Sequence, residues 1–221
     1  MDSLKLDCPA KLNLNLSVLG KRIDGMHEIK TRFQLINLFD EMVIKKTVSK
    51  SISVKTNLGP SVDDNKNIVF TAIKLLSDHI GKKIYCEVEI IKHIPMGGGL
   101  GGGSSNAAII LLAMNKIYNS KLRVSQLRTI ANSIGSDVTF FLYGTNAWVE
   151  GIGDIVTPIY LNPAWFILIH GKHKVSTSKI FSQYRKNDNS KNLSYDDYLN
   201  NHTTNDLEDV VFELYPSIYQ S

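Results

Sequence analysis

The feature that most constrains this chain is a glycine-rich stretch near its middle. Six of the fifteen glycines lie within residues 97–103. Glycine loses more conformational entropy on folding than any other residue, so a cluster that becomes ordered must serve a purpose that side chains would prevent. The purpose that this composition favours is close approach of backbone N–H groups to a ligand, and phosphate is the leading candidate.

The residues after the glycines are typical of a helix start. Ser104, Ser105 and Asn106 are common helix-capping types, and the apolar residues 107–114 can pack a helix against a core. The free amides and the dipole at a helix N-terminus bind anions. Residues 90–136 also contain five Lys or Arg and no Asp or Glu. The stretch therefore predicts a polyphosphate-binding loop between a strand and a helix.

Other glycine motifs fit less well. Gly97, Gly99 and Gly102 match the G-x-G-x-x-G pattern of dinucleotide-binding folds, but no acid follows before Asp137, and that fold needs one about twenty residues later for the ribose. A Walker A loop needs Lys-Ser/Thr directly after its last glycine, whereas the next lysine is Lys116. A flexible linker is disfavoured because apolar segments flank the glycines without polar filler.

Composition indicates an ordinary globular protein. With 221 residues, 43% of them hydrophobic, the chain can bury a core as one large domain or two small ones. A net charge of +4 is too weak to indicate nucleic acid without a basic patch. Cys8 and Cys86 lack metal-ligand spacing, which favours reduced thiols in a cytosolic protein. The sequence shows no membrane span or signal peptide, so we expect a cytoplasmic location and no membrane partner.

The N-terminal region predicts strands. Residues 11–18 alternate between apolar and polar types, so Lys11 and Asn13 share one face and can contact one ligand, although a plain solvated face is the alternative. A turn-rich loop over residues 20–28 follows, with His27 either exposed or in a site. The next predicted strands complete an antiparallel layer over residues 1–60 and cover residues 29–39, 42–48 and 51–56.

The rest of the chain mixes helices and strands. Asp137, the first acid after Glu89, is interpreted as a helix N-cap, a catalytic group or both. His170 and His173 lack a third ligand, so no metal site is predicted from protein side chains. A mobile polar connection is expected over residues 184–209. Predicted helices cover residues 67–80, 125–134 and the start of an apolar segment at 210–214, and predicted strands cover residues 84–90, 147–156 and 165–170.

Three stretches together resemble the GHMP family of small-molecule kinases. They are Pro-Ala-Lys-Leu-Asn-Leu-Asn-Leu at 9–16, the glycine loop, and Gly-Ser-Asp-Val-Thr-Phe-Phe at 135–141. The resemblance implies a two-lobed α+β fold with the active site in a cleft. The first lobe, residues 1–150, would resemble ribosomal protein S5 domain 2. Residues 151–221 would begin a second lobe that is incomplete here, because the family's third glycine-rich motif is absent from these 221 residues.

Two stretches narrow the resemblance. Gly-Lys-Arg-Ile-Asp-Gly-Met-His-Glu at 20–28 and the loop at 95–105 are similar to family members that act on a CDP-linked methylerythritol in the non-mevalonate isoprenoid route. This implies transfer of the ATP γ-phosphate to the tertiary 2-hydroxyl of the polyol, with Mg²⁺ as cofactor. We expect small-molecule partners only, no nucleic acid, and a monomer or weak homodimer.

The same resemblance assigns roles. Lys11 and Asp137 would flank the acceptor hydroxyl, and Asn13 would hold the polyol. The cytidine would contact His27, Thr177 and Phe181, with Phe181 the only ring for the base because Met26 stands where the family usually has an aromatic residue. The residues expected to wrap the triphosphate are Pro95, Met96, Gly97, Gly98, Gly99, Leu100, Gly101, Gly102, Gly103, Ser104 and Ser105.

Two other functions stay open from sequence. The first is another GHMP kinase, of the homoserine or mevalonate type, from which the loop at 20–28 distinguishes this chain. The second is an RNA-binding protein that uses an S5-like fold. RNA binding would need basic and aromatic residues on one exposed sheet, whereas the aromatics here mostly lie in apolar runs.

Overall fold

The computed structural model describes residues 3–59, 67–171, 175–185, 195–199 and 204–219, without the side chains of 198 and 199. It mixes strands and helices, as an α+β fold requires. The strands are β1 (Leu4–Lys21), β2 (His27–Lys46), β3 (Ile52–Thr56), β4 (Cys86–Ile91), β5 (Ala147–Glu150) and β6 (Ile155–Pro158). The helices are α1 (Ile68–Ile80), α2 (Gly102–Ile117), α3 (Val124–Ile134), α4 (Ser136–Tyr143), α5 (Thr177–Gln183), α6 (Tyr195–Leu199), α7 (Glu208–Leu214) and α8 (Pro216–Tyr219).

The chain divides into two compact units, and it passes between them several times. The first unit comprises Met1–Ala10, Ile36–Ile94 and Gly101–Gly144, and the second comprises Lys11–Leu35, Pro95–Leu100 and Thr145–Ser221. The long strands β1 and β2 each contribute residues to both units. The last entry into the second unit, at Thr145, lies close to the predicted lobe boundary at residue 150, and the lobes themselves stay a prediction.

The first unit packs helices around a small sheet. The C-terminal half of β2 pairs antiparallel with β4, with Met42 opposite Ile90, and β3 pairs parallel with β4. The helix α1 connects β3 to β4, as a parallel pair requires, so the predicted antiparallel layer over residues 1–60 is wrong for β3. The core residues of this unit include Met42, Val54, Ile73, Leu76, Val88, Ile90, Leu111, Met114, Phe140 and Phe141.

Two features of this unit follow from local chemistry. The side chain of Asn67 caps α1 by accepting a hydrogen bond from the backbone N–H of Val69 at 2.9 Å, and Gly81 ends the helix at φ 63°. Cys8 and Cys86 are buried free thiols, and burial raises the pKa of each to about 12. Both thiols are therefore protonated and poorly reactive near neutral pH.

The predicted break in β2 between residues 39 and 42 is wrong. The strand runs without interruption from His27 to Lys46. Asp40 is completely buried there, because its carboxylate oxygens accept hydrogen bonds from four donors. Because these internal donors satisfy the carboxylate, Asp40 does not need to be exposed to water, and the strand can continue through this position without a turn.

The second unit is built on the N-terminal half of β2. Residues Thr31, Arg32 and Phe33 pair antiparallel with β5, which pairs antiparallel with β6. The bend at Gly151–Gly153 falls between these strands, as predicted. A separate apolar cluster joins β1 and β2 to α5 and to the start of α7, through Leu16, Val18, Ile29, Ile180 and Leu207.

One prediction for this unit is wrong. Residues 165–170 form no strand: Trp165 and Ile167 are almost fully exposed, and an apolar run alone cannot supply a pairing partner. The described part of residues 184–209 contains α6 and is hydrogen-bonded to β1 near its end, while the mobility of this connection stays a prediction. The backbone N–H of Leu16 donates to the carbonyl of Thr204 at 2.8 Å, and the N–H of Asp206 donates back to the carbonyl of Leu16 at 2.9 Å.

Candidate active site

The glycine loop follows the buried Ile94, which lies shortly after the end of β4, and it enters α2 at Gly102. Gly97, Gly99 and Gly101 adopt φ values of 79°, 70° and 71°. Side chains other than glycine rarely adopt this left-handed backbone. The residues 97–99 are also exposed, so their backbone groups are accessible to a ligand.

The helix α2 begins earlier than its capping residues suggest. Gly101 is the N-cap and makes no side-chain bond, while Ser104, Ser105 and Asn106 lie inside the helix. Their predicted capping role is therefore wrong. The hydroxyl of Ser105 is buried and has no hydrogen-bond partner among the described residues. This helix start leaves first-turn amides without a side-chain acceptor, which suits an anion.

Gly102 is needed for packing. A Cβ at this position would lie 2.9 Å from Cγ2 of Ile94 and 3.3 Å from Nζ of Lys92. The start of α2 therefore rests directly on the residues that follow β4.

Asp40 is an acidic residue that was not predicted to belong to the site, and it is paired with one of the residues in this contact. Asp40 forms an ion pair with Lys92, and the two side chains are 0% and 8% exposed. The charge of Lys92, counted in the sequence as favouring phosphate, is thus offset by Asp40. A fully buried acid at the centre of a strand gives no periodic signal, so only its unexpected polarity in an apolar run could have marked it.

Lys11 and Asn13 are brought together, as predicted from their shared strand face. The ammonium of Lys11 donates to Oδ1 of Asn13 at 2.5 Å and lies 4.4 Å from the ring centre of Phe33. The alternative of a solvated face is wrong for Lys11, which is 4% exposed. Its backbone N–H also donates to the carbonyl of Leu100 at 3.0 Å, which attaches β1 to the loop within the second unit.

The side chain of Asn13 also forms a hydrogen bond with a residue of β2. Its amide nitrogen donates to Oγ1 of Thr31 at 3.2 Å, and that hydroxyl donates to the carbonyl of Asn15 at 2.5 Å. Asn13 also borders a groove of about 510 Å³, which it shares with Arg32 and Phe166. The groove is large enough for a polyol.

Asp137 lies in the first turn of α4, in the first unit. The N-cap of that helix is Gly135, so the interpretation of Asp137 as the N-cap is wrong. An acid in a first turn is stabilised by the helix dipole. Lys11 belongs to the second unit, and the predicted approach of Lys11 to Asp137 stays a prediction.

His27 and Phe181 are brought together in the second unit. Their ring centroids are 5.2 Å apart, and the ring of Tyr184 lies 6.3 Å from His27 in an edge-on arrangement. Tyr184 therefore adds a second ring to the surroundings of His27, and the role of Phe181 as the only ring for the base stays a prediction. The spacing of Tyr184, three residues after Phe181 near the end of α5, was the available signal. Met26 is 47% exposed.

The chemistry of this group follows from its surroundings. Burial, with a smaller contribution from the Lys21 ammonium, lowers the pKa of His27 below its ordinary 6.5. Neutral imidazole has one donor and one acceptor, which suits the edge of a base. Thr177 begins α5 and is exposed, one helical turn before Phe181.

His173 lies outside the described residues, and among those described no cluster of His, Cys, Asp or Glu could hold a metal.

Comparison with known proteins decides the family. Residues 67–145 match the family described as the GHMP kinases N terminal domain. A 4-diphosphocytidyl-2-C-methyl-D-erythritol kinase from Hahella chejuensis is 36% identical over 100% of this chain and 78% of its own length. The kinase of the same name from Haemophilus ducreyi is 37% identical over 99% of this chain and 77% of its own. The chain belongs to the 4-diphosphocytidyl-2-C-methyl-D-erythritol kinase family.

Solved structures agree with this family assignment. A crystal structure of 4-(cytidine 5'-diphospho)-2C-methyl-D-erythritol kinase matches with a TM-score of 0.79 and 31% identity, over 98% of this chain and 80% of that one. Homoserine kinase from Cytophaga hutchinsonii matches at 0.61 with 20% identity, over 90% of this chain and 64% of that one, and shows the shared fold alone. The predicted GHMP fold and an ATP-dependent small-molecule kinase activity are thus confirmed. RNA binding is no longer needed to explain the fold.

Among the described residues of this kinase, no helix is long and apolar enough to cross a membrane.

Proposed function

We propose that this kinase transfers the γ-phosphate of ATP to the 2-hydroxyl of 4-diphosphocytidyl-2-C-methyl-D-erythritol, in the non-mevalonate route to isoprenoid precursors. The observation that carries the proposal is the identity to kinases of that name over nearly the whole chain. The paired rings of His27 and Phe181 support it independently, because an aromatic pair suits a nucleobase.

The glycine loop would hold the ATP phosphates. Phosphoryl transfer has a loose transition state, so the protein contributes mainly position and charge neutralisation. Left-handed glycines at 97, 99 and 101 and the exposed backbone at 97–99 support this role. The proposed binding residues remain Pro95 to Ser105.

Lys11 and Asp137 would act at the acceptor. The substrate oxygen forms a bond to the γ-phosphorus, the bond from that phosphorus to the bridging oxygen breaks, and ADP leaves. The hydroxyl proton passes to the Asp137 carboxylate as a general base. Lys11 would offset the charge of the transferred group, and its hydrogen bond with Asn13 supports a shared acceptor site.

Mg²⁺ is the proposed cofactor, and it would neutralise phosphate charge during transfer. Mg²⁺ in kinases is often bound largely through substrate phosphates and water, with one or two protein ligands. That pattern agrees with the lack of a ligand cluster in the described part of the chain. The described group that fits best is the Ser105 hydroxyl, which is buried without a hydrogen-bond partner among the described residues at the start of α2.

The cytidine would contact His27, Thr177 and Phe181, with Tyr184 added from the structure. Stacking of a base on an aromatic ring contributes roughly 1–3 kcal/mol. The edge-on contact of Tyr184 supports a role in orienting His27. The cytoplasmic location and the monomer or weak homodimer stay predictions.

The test is a coupled assay of ADP release with purified protein. The acceptors are CDP-methylerythritol, homoserine, mevalonate and galactose, each at matched concentration. We expect turnover with the CDP-linked polyol to exceed that with every other acceptor by at least about 10³, because buried polar groups are left unpaired by the wrong substrate. Comparable turnover with homoserine or mevalonate would overturn the proposed substrate.

A further inference from the structure

The carboxylate of Asp40 connects segments that are distant in sequence. Its Oδ1 accepts the backbone N–H groups of His93 and Ile94, both at 2.9 Å. Its Oδ2 accepts the Lys92 ammonium, and also Nδ2 of Asn106 at 3.1 Å. The side chain is completely buried. Asp40 thus satisfies donors before the glycine loop and after it.

Lys92 closes the same network. Its ammonium donates both to Asp40 and, at 2.9 Å, to Oδ1 of Asn106. Asn106 therefore uses both ends of its amide, one toward the acid and one toward the cation. Such charge-assisted bonds are stronger and more directional than neutral ones.

The partners of Asp40 lie at the two ends of the loop. His93 and Ile94 precede it, and Asn106 lies in the helix that follows it. The contact between Gly102 and Ile94 brings these ends together without space for a Cβ. The loop is thus closed at its base by a polar network and a packing contact, all within the first unit.

We propose that Asp40 is a positioning residue for ATP, which fixes both ends of the glycine loop without touching the nucleotide. The proposal rests on the proposed function, in which this loop holds the phosphates. Ordering a glycine-rich segment is entropically costly. A loop whose ends are already joined loses less freedom when it binds a ligand, and preorganisation of this kind increases affinity.

A purely structural ion pair is the competing explanation. Buried pairs often contribute little net stability, and loss of one partner destabilises the whole fold. That role predicts a lower melting temperature with equal effects, or none, on both substrates. A positioning role predicts a selective effect on the nucleotide.

The experiment uses Asp40→Asn and Asn106→Ala. In Asp40→Asn, an amide NH₂ faces the Lys92 ammonium and the Asn106 amide, while the other oxygen can still accept the loop N–H groups. Asn106→Ala removes the partner on α2 and leaves the ion pair intact, so it carries the test if the Asp40 variant does not fold. Calorimetry measures binding of a non-hydrolysable ATP analogue and, separately, of CDP-methylerythritol.

We expect each variant to weaken binding of the ATP analogue by about tenfold, the size of one lost charge-assisted bond. Binding of the CDP-linked substrate should stay within about twofold, a smaller change than the loss of one such bond. Ser77→Ala is the control, because it removes a different, partly buried hydrogen bond of the first unit, from its hydroxyl to the carbonyl of Lys82 at 2.7 Å. It should lower the melting temperature and leave both affinities unchanged.

Unchanged nucleotide affinity in both folded variants would overturn the proposal, and so would equal weakening of both ligands. Gly101→Val separates this failure from failure of the proposed function. If Gly101→Val weakens the nucleotide and the network variants do not, only the positioning role is lost. If Gly101→Val also has no effect, the loop does not hold ATP and both proposals fall.

Discussion

The ammonium of Lys11 donates to Oδ1 of Asn13 at 2.5 Å. Since a lysine ammonium can only donate, this bond sets the orientation of the Asn13 amide, whose nitrogen then faces Thr31 at 3.2 Å. The Thr31 hydroxyl must direct its own proton to the carbonyl of Asn15, which can only accept. The donor and acceptor of each of these three hydrogen bonds, from Lys11 to Asn15, are therefore determined.

Thr31→Val should disrupt this chain of hydrogen bonds while nearly preserving the size of the side chain. The Asn13 amide loses its acceptor, so its orientation and that of Lys11 become less certain. We expect turnover to fall by about tenfold, as for one lost hydrogen bond, with little change in the KM for ATP. Thr31→Ser keeps the hydroxyl and should retain most activity. Steady-state kinetics of both variants decides, and equal turnover in valine and serine variants would contradict the prediction.

Asp137→Asn should remove the proposed general base while keeping the shape of the side chain. Turnover is expected to fall by roughly 10² to 10⁴, with little change in affinity for the ATP analogue. Asp209→Asn is the control, because Asp209 also lies in the first turn of a helix, α7, and should have near-normal activity. Single-turnover kinetics gives the chemical step, and near-normal turnover in Asp137→Asn would remove it from the mechanism.

Gly101→Val should weaken ATP binding, because a β-branched residue at φ 71° is strained and its side chain would crowd the ligand. We expect at least a tenfold higher Kd for the ATP analogue, about 1.4 kcal/mol or more. Gly81→Val places the same side chain at φ 63° after α1, with no atom within 4 Å of an added Cβ. It should show the stability loss alone, so equal affinities in the two variants would argue against the loop.

Phe181→Ala should reduce affinity for the CDP-linked substrate more than Met26→Ala does. Phe181 lies against His27, whereas Met26 is about half exposed and offers only a thioether, which contributes about 0.3–1.5 kcal/mol to an aromatic face. Met26→Tyr should tighten binding by adding a ring. Calorimetry with the substrate measures all three variants. Parent-like affinity in Phe181→Ala would mean that the cytidine binds elsewhere.

Burial and the nearby Lys21 ammonium should both lower the pKa of His27. We expect an NMR titration midpoint below 6.5, raised by Lys21→Met but still below 6.5, since burial is the larger cause. Lys46→Met, at the other end of β2, should not move it. Because the unfolded chain takes up this proton first, the stability that depends on His27 should decrease as pH falls from 6.5 through the folded pKa. A midpoint above 6.5 would contradict this.

Local patterns determined much of this protein. The glycines from 97 to 103 were sufficient to predict an unusual loop backbone, because only glycine readily adopts the left-handed conformation found at Gly97, Gly99 and Gly101. Phosphate binding by this loop stays a prediction. The alternation at residues 11–18 was sufficient to place Lys11 beside Asn13. Asn67 and Gly81 marked the ends of α1 through capping chemistry that acts within a few residues.

Tertiary structure decided the rest. Asp40 meets partners 52 to 66 residues later in the chain, and no local pattern could reveal that a charged residue inside a strand would be buried and hydrogen-bonded rather than exposed to water. The apolar run at residues 165–170 had the composition of a buried strand but no strand beside it among the described residues. Local composition and periodicity indicate what a segment can form, whereas pairing and burial depend on segments brought together by folding.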